Sequence, residues 1–317
     1  MAMSAAKALE ARELKGDLTI KLGRRLIQLT HLDKIYWPDD GYTKGDLLRY
    51  YFKVSKYILP YLRDRPLILK RYPDGIEGES FHQHDVDEAP EDLRLVSIEM
   101  GDGHKVDYLV GGDLATLLYT ANLGAIECHP WHSRIDNLDR PDWIVFDLDP
   151  GEGATFDRVC EVALKVRDLL ESVGLASYAK TSGSRGIHVF VPLRAEHDYD
   201  QAARFAARIA SAVARENPAI ATVERTLQRR RAGQIYVDHL QNARGKSIVA
   251  PYSVRPRPGA TVSTPLEWQE VIDRKIGPQD FTIETVLQRI SEKGDPFKPV
   301  LRQKQRLRQA IKKIGSM

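Results

Sequence analysis

The segment Phe146-Asp-Leu-Asp-Pro-Gly151 sets two carboxylates two residues apart at the end of the apolar run Trp143 to Phe146. On a strand, residues i and i+2 face the same side, so Asp147 and Asp149 project together while Leu148 turns into the core. Two adjacent carboxylates repel unless a cation lies between them, and hard divalent ions take oxygen ligands. A strand-borne Asp-x-Asp is therefore a metal-site signal; its structural alternative is a pair of Asp residues capping the turn at Pro150-Gly151. Ile235-Tyr-Val-Asp238 is another apolar strand ending in Asp. Alone it is unremarkable, but beside the first pair it supplies the third carboxylate of a two-ion phosphoryl-transfer site.

Between these strands lies Thr181-Ser-Gly-Ser-Arg-Gly-Ile-His188. Its small residues and two glycines leave backbone N–H groups and hydroxyls free to wrap a polyphosphate, and Arg185 and His188 add charge and donors. A Gly/Ser turn between strands is also commonplace, so this segment gains meaning only from its neighbours. Lys70-Arg71 and Phe81-His-Gln-His84 provide basic and planar groups that could hold a nucleotide or stack on a base. Cys128-His129-Pro-Trp-His132 has no partner pair at zinc-ligand spacing, which argues against a structural zinc. Cys160, within an amphipathic helix, and Trp37, Trp143 and Tyr178 are expected in the core.

The elements that must position these groups alternate between helix and strand. Thr43 and Asp46 form a capping pair for a helix from Thr43 to Pro60, with Leu47, Leu48, Tyr51 and Val54 at helical spacing and Pro60 as its stop. Pro66 to Tyr72 is a short strand, and Asp113 to Leu123 a helix. Trp143 to Asp149 is a buried strand, followed by a helix over Phe156 to Val173 and strands over Ala176 to Lys180 and Ile187 to Val191. Tyr199 to Arg215 is a long Ala-rich helix. Gln234 to Asp238 and Ser247 to Ala250 are expected to pair across the Gln241-to-Gly245 turn, and helices at Pro265 to Ile272 and Ile283 to Ile290 finish the domain.

Composition sets the bounds. In 317 residues, 42% hydrophobic and 29% charged, there is enough chain for a folded core. Only two cysteines exclude a disulfide scaffold and suit a reducing compartment. Met1 to Lys15 has no apolar leader, and no run approaches the roughly 20 apolar residues of a membrane span, so a cytoplasmic protein is expected. The net charge of +3 is mild, but Arg225 to Arg231 is densely basic and Leu301 to Ile314 carries six cations without an acid. Such clusters suit a phosphate backbone or, more plainly, a solvated helix face.

Together these motifs resemble the polymerase domain of bacterial ligase D, a non-homologous end-joining polymerase of the archaeo-eukaryotic primase superfamily. The family order runs through Lys34-x-x-Trp-Pro38, Thr43-Lys-Gly-Asp46, Lys70-Arg-Tyr-Pro-Asp-Gly75, Glu127-Cys-His129, Phe146 to Gly151, Thr181 to His188, Val237-Asp238 and Ala250-Pro-Tyr-Ser-Val-Arg255. The resemblance implies an α/β fold of the α+β type, a primase-polymerase core of mixed, largely antiparallel sheets flanked by helices. It places that domain at 23–296, between an N-terminal extension (1–22) and a basic C-terminal tail (297–317). It also implies template-directed and terminal nucleotidyl transfer that fills gaps and extends ends in double-strand-break repair.

By the same resemblance, Asp147, Asp149 and Asp238 would hold two Mn²⁺ or Mg²⁺ ions, with NTP and dNTP substrates. Ser182, Arg185, His188 and Arg255 would hold the triphosphate, with Lys70 and His129 near the sugar and phosphates and Phe81 stacked on a base. Lys34 and Lys44 would grip a DNA 5′-phosphate at ends or gaps. Ku and a separate or fused DNA ligase are the implied partners, in the nucleoid. Relatives often have two adjacent aromatics where this chain has Phe81-His82, and Lys where Arg185 stands. Two rivals are a non-catalytic DNA-end-binding module and an aspartate-nucleophile phosphatase, whose motif also begins Phe-Asp-Leu-Asp. The latter usually has Gly where Pro150 stands, and a late Asp-Asp pair that is missing here.

Overall fold

The computed structural model describes residues 3–86, 89–101 and 103–315. The outermost residues of the N-terminal extension and the basic tail, 1–2 and 316–317, lie outside the described residues. The architecture is mixed α/β with mainly antiparallel sheets, as the resemblance implied. The largest sheet has six strands in the spatial order Ala221–Thr222, Ile235–Asp238, Trp143–Pro150, Ile187–Pro192, Tyr178–Thr181 and Pro265–Leu266. All neighbours are antiparallel except the first pair. The helices Phe156–Ser172 and Tyr199–Glu216 pack against its central strands through apolar stripes such as Val159, Val162, Val166 and Leu170. This is the 3.6-residue periodicity meeting a sheet face.

A smaller antiparallel sheet has the order Ala125–Pro130, Leu67–Arg71, Phe81–Gln83. It leans on the helix Lys44–Leu62, whose N-terminus carries the expected reciprocal cap. Thr43 Oγ1 accepts from Asp46 N at 3.2 Å, and Asp46 Oδ2 accepts from Thr43 N at 2.9 Å. Pro60 does not end this helix, which runs on to Leu62. Near a C-terminus a proline forfeits only one helical hydrogen bond. The burial of Tyr61 and Leu62, and the Tyr61 hydroxyl on Asp295 at 2.7 Å, hold the final turn.

Two further expectations are corrected. Ser247 to Ala250 does not pair with Ile235–Asp238; Ser247 makes only an isolated bridge to Trp131. The chain instead turns through Leu240–Asn242, where the Asn242 amide donates to Val145 O (2.7 Å) and accepts from Val145 N (2.8 Å). That side chain occupies the edge next to Val145 and sends the following segment elsewhere. Pro265 does not begin a helix; Pro265–Leu266 pair with Ala179 and Lys180, and the helix runs from Trp268 to Asp273. An open sheet edge captured two residues whose local pattern was helical.

Both chain ends pack onto this body. Ala8, Leu9 and Ile20 are buried, and Leu18–Leu22 pairs with Arg25–Leu29. At the other end Phe297, Val300, Leu307, Ala310 and Ile314 enter the core, while the Gln305 amide bonds Ala176 N and O. Among the described residues no helix is long and apolar enough to cross a membrane.

Candidate active site

The register of the large sheet assembles the site. Asp147 lies opposite Asp238 on one side and opposite His188 on the other, and His188 lies opposite Lys180. Directly opposed residues in antiparallel strands share a face. Asp238, Asp147, His188 and Lys180 therefore form one rung across four strands, with charge running from acidic to basic. Asp149 stands two residues along the same face, opposite Tyr236 and more open to solvent than Asp147.

Like charges directly opposed in a sheet are unfavourable, and the acids show it. Burial foremost, and then the Asp238 carboxylate, raise Asp147 to about 7. Asp149 is also raised to about 7; its carboxyl opens to the cleft rim, but flanking protein still displaces enough water for burial to lead, followed by Asp147 and Asp238. The charges of Arg230 and Arg185 act in the opposite sense on Asp149. Asp238 is held by three donors: Leu240 N at 2.7 Å, the Gln241 amide at 3.0 Å and the Tyr236 hydroxyl at 3.3 Å.

Three carboxylates on one face are an oxygen-rich donor set of the kind hard divalent ions prefer. Asp147 Oδ1 is buried and has no hydrogen-bond partner; His188 Nε2 is 3.2 Å away but off the hydrogen-bond line. A buried carboxylate oxygen without a donor fits a cation as its missing partner. Among the described residues no three His, Cys, Asp or Glu side chains already meet the geometry of a metal centre. That applies equally to Cys128, His129 and His132; burial drives the His132 ring down to about 3, and neither of its nitrogens has a partner.

The Thr181-to-His188 segment is a tight turn at the end of the rung. Ser182 Oγ accepts from Ser184 N at 3.1 Å and Gly186 N at 3.0 Å, so the hydroxyl caps the loop and keeps its own proton to donate. Gly183 has φ +69°, and a side chain there would meet Arg255 Cγ and Ser263 N at 2.7 Å. Arg255 Nη1 donates to Ser182 O at 2.9 Å, while its Nε lies 2.5 Å from Glu127 Oε1. Arg255 thus ties the phosphate-loop candidate to the smaller sheet.

In that sheet Glu127, Lys70 and His82 form a second rung. Glu127 is buried; burial would raise its carboxyl, but His129 at 3.4 Å, Arg255 and Lys70 outweigh that and hold it at about 2. Sequence reasoning passed over Glu127 as a site residue, and Lys180 and Ser263 as well. Acids and cations within apolar strands were the available signal. Phe81 is half exposed on the edge strand, with the Arg71 guanidinium 5.2 Å from its ring centroid.

Lys34 and Lys44 stand apart from the carboxylates. They line a separate cavity of about 270 Å³ with Thr30, His31, Arg71 and Asn122. Lys44 is buried, its amine 3.3 Å from Thr30 Oγ1, whereas Lys34 pairs with Asp74 at 2.5 Å. Burial first, then Lys34, lowers Lys44 to about 8. Arg71 is the third cation there; its sequence position beside Lys70 suggested a nucleotide contact, and only the fold brings it to this cavity from another strand.

Comparison with known proteins identifies the family and the fold. The family described as "LigD, primase-polymerase domain" matches residues 43–297. The chain is 38% identical over 273 residues to the bifunctional non-homologous end joining protein LigD of Bacillus subtilis (strain 168), covering 86% of this chain and 43% of that protein. It is 34% identical over 277 residues to the multifunctional LigD of Mycolicibacterium smegmatis, covering 86% and 36%. It thus spans less than half the length of these curated relatives. Among solved structures, the polymerase domain of Mycobacterium tuberculosis ligase D in complex with DNA superposes with a TM-score of 0.81 at 31% identity, covering 88% of this chain and 99% of that one. The mixed fold and these matches lead to one conclusion: the chain belongs to the LigD primase-polymerase family.

Proposed function

We propose that this chain adds nucleotides to the 3′ ends of DNA, filling gaps and extending ends in double-strand-break repair by end joining. The observation that carries the reading is the rung Asp238–Asp147–His188–Lys180, with Asp149 beside it on the same face. The relatives' roles in end joining and the DNA held by the tuberculosis domain support it. Asp147, Asp149 and Asp238 would hold two divalent ions, manganese or magnesium. Such ions would acidify the attacking hydroxyl and neutralise charge on the leaving pyrophosphate.

The chain's own groups do the rest. Ser182 offers its hydroxyl proton and His188 its ring N–H to the triphosphate, and Arg185 reaches it from the exposed edge of the turn. Arg255 is anchored by buried Glu127, so its charge is fixed before substrate arrives, the arrangement in which electrostatic stabilisation works best. Lys70 and His129 flank the same cleft. A phosphatase nucleophile needs open access to an incoming phosphoryl group, whereas Asp147 is lodged between Asp238 and His188. The test is extension of a primer–template with each NTP and dNTP in magnesium and in manganese. DNA binding without incorporation in any mixture would return the chain to an end-binding module.

Phe81 offers a base a half-exposed platform. Phe81→Ala should weaken handling of the base by roughly 1–3 kcal/mol, read as a raised nucleotide KM with DNA affinity unchanged. Unaltered kinetics would leave Phe81 as surface packing.

The Lys34–Lys44–Arg71 cavity suits a terminal 5′-phosphate on the downstream strand, which carries more charge than a phosphodiester. Wild type should bind a gap with a 5′-phosphate more tightly than one without, and Lys34→Ala/Lys44→Ala should lose that difference while extending an open primer–template normally. The preference should also fade as pH rises through about 8, where free Lys44 loses its proton and binding must take one up. A pH-independent preference, or one that survives the double substitution, would place the phosphate elsewhere. Ku and a ligase, separate or fused, are the partners this reading entails.

A further inference from the structure

The basic tail is docked, not free. Leu307, Ala310 and Ile314 are buried and seat the helix Leu307–Gly315 against the long helix Tyr199–Glu216. Burying one stripe of a helix leaves the rest to solvent, and here that includes Arg308 and Lys312, four residues apart and so neighbours on one side. The long helix presents Arg204 and Arg208, likewise exposed and four apart. These four cations line one open cavity of about 370 Å³ over Phe205 and Ile311. A second cavity, of about 410 Å³, carries the seam between the helices on past Arg208 to Arg215.

Among the described residues none of the four pairs with an acid, and Leu301 to Ile314 has no acid of its own. Of the acids that lead into the long helix, Glu196 is taken by Arg194 at 2.9 Å and Arg306 at 3.4 Å, and Asp198 Oδ1 accepts from Gln201 N at 2.7 Å. Like charges gathered along one groove repel, and a bound polyanion offsets that. From Arg204 to Arg215 the helix rises about 16 Å, the axial length of about five base pairs and too long for a single phosphate. Three of the four cations are arginines, whose planar fork matches phosphate oxygens. An acidic peptide would need an apolar hole for an anchoring side chain, and Phe205 is already sealed by its own chain. We infer that the seam between these helices is a second DNA-binding surface, which takes the phosphodiester backbone of duplex DNA. It shares no residue with the carboxylate rung or the Lys34–Lys44 cavity, so it goes beyond the proposed reaction and adds affinity without reading bases.

The probe is a blunt duplex without a 5′-phosphate, titrated by fluorescence anisotropy over a range of salt concentrations. Each phosphate contact contributes about 0.9 to the slope of log affinity against log salt. Arg204→Ala/Arg208→Ala/Arg308→Ala/Lys312→Ala should therefore flatten that slope by about 3 to 4 and weaken binding at low salt at least about tenfold. The pair of substitutions on either helix alone should give about half the change in slope. Leu307, Ala310 and Ile314 stay in place, so an unchanged melting temperature is expected. The kcat at saturating primer–template, and the preference for a 5′-phosphorylated gap, should match wild type. Lys165→Ala/Arg274→Ala/Lys275→Ala/Lys298→Ala removes the same charge from exposed positions elsewhere and should keep the wild-type slope. An unchanged slope in the groove variant, or an equal loss in this control, would overturn the inference. So would poly-glutamate binding that depends on the four cations while duplex binding does not, the mark of an acidic protein partner. Failure of the proposed reaction looks different: a wild type that never incorporates nucleotides, yet binds duplex through these four cations, loses the polymerase reading and keeps the groove.

Discussion

Asp149→Ala is expected to lower nucleotide addition by at least about a thousandfold, the rate equivalent of losing several kcal/mol of charge stabilisation. DNA affinity should stay within about twofold, since no phosphate contact is removed. The motive is the shared face of Asp147, Asp149 and Asp238 and the donorless buried oxygen of Asp147. Asp238→Ala should behave alike. A readout besides activity comes from protons. Asp147 and Asp149 are both raised to about 7, so the folded protein holds their protons more tightly than the unfolded chain, where Asp titrates near 4. The pair therefore withdraws stability as pH rises from about 4 to about 7, and this cost persists above. Added Mn²⁺ should raise the melting temperature at pH 8, less so at pH 6 where protons compete, and hardly at all in Asp149→Ala. Substantial extension by Asp149→Ala at saturating manganese, or an undiminished thermal shift, would remove Asp149 from the metal site.

Gly186→Ala should impair both fold and nucleotide handling, although alanine adds one methyl group. A Cβ at residue 186 would stand 2.2 Å from Leu148 O, a backbone atom of the strand that carries Asp147 and Asp149. Backbone cannot swing aside as a flexible side chain can, so the turn or the acidic strand must move. Overpacking of this kind costs about 1–3 kcal/mol, occasionally more. The displaced turn also loses the Gly186 N to Ser182 Oγ bond that sets the Ser182 hydroxyl. Expected results are a melting temperature lower by several degrees and a nucleotide KM raised at least about tenfold, with Ser184→Ala as a milder control in the same turn. A Gly186→Ala protein with wild-type melting and kinetics would mean that the close approach to Leu148 is relieved at no cost. The turn would then be looser than a preorganised phosphate loop must be.

These two sites differ in how far the sequence alone reaches them. That Asp147 and Asp149 share a face follows from the two-residue period of a strand, a local property that needs no partner. The Thr43–Asp46 cap is legible for the same reason, as both groups lie within one turn of helix. The glycines of the Thr181-to-His188 turn were visible as a flexible loop, but the atom that Gly186 must clear belongs to a strand nearly 40 residues earlier.

What joins Asp238, Asp147, His188 and Lys180 is register, set by strands from three separate stretches of chain and by the loops that bring them together. A one-residue slip would turn every one of those side chains to the opposite face. No local pattern encodes that choice. Ser247 was expected beside Ile235–Asp238, yet the Asn242 amide had already taken the neighbouring edge at Val145. Lys180 carried only an ambiguous signal, because a lysine in an apolar strand looks like an exposed edge until its strand is closed on both sides by Ile187–Pro192 and Pro265–Leu266. Local pattern marked the catalytic acids and most of the phosphate-loop candidates, though not Glu127 or Lys180, and the face each takes along its own strand. Tertiary structure decided which of them meet, because meeting is a property of pairing between distant segments, where burial and loop closure outweigh local preference.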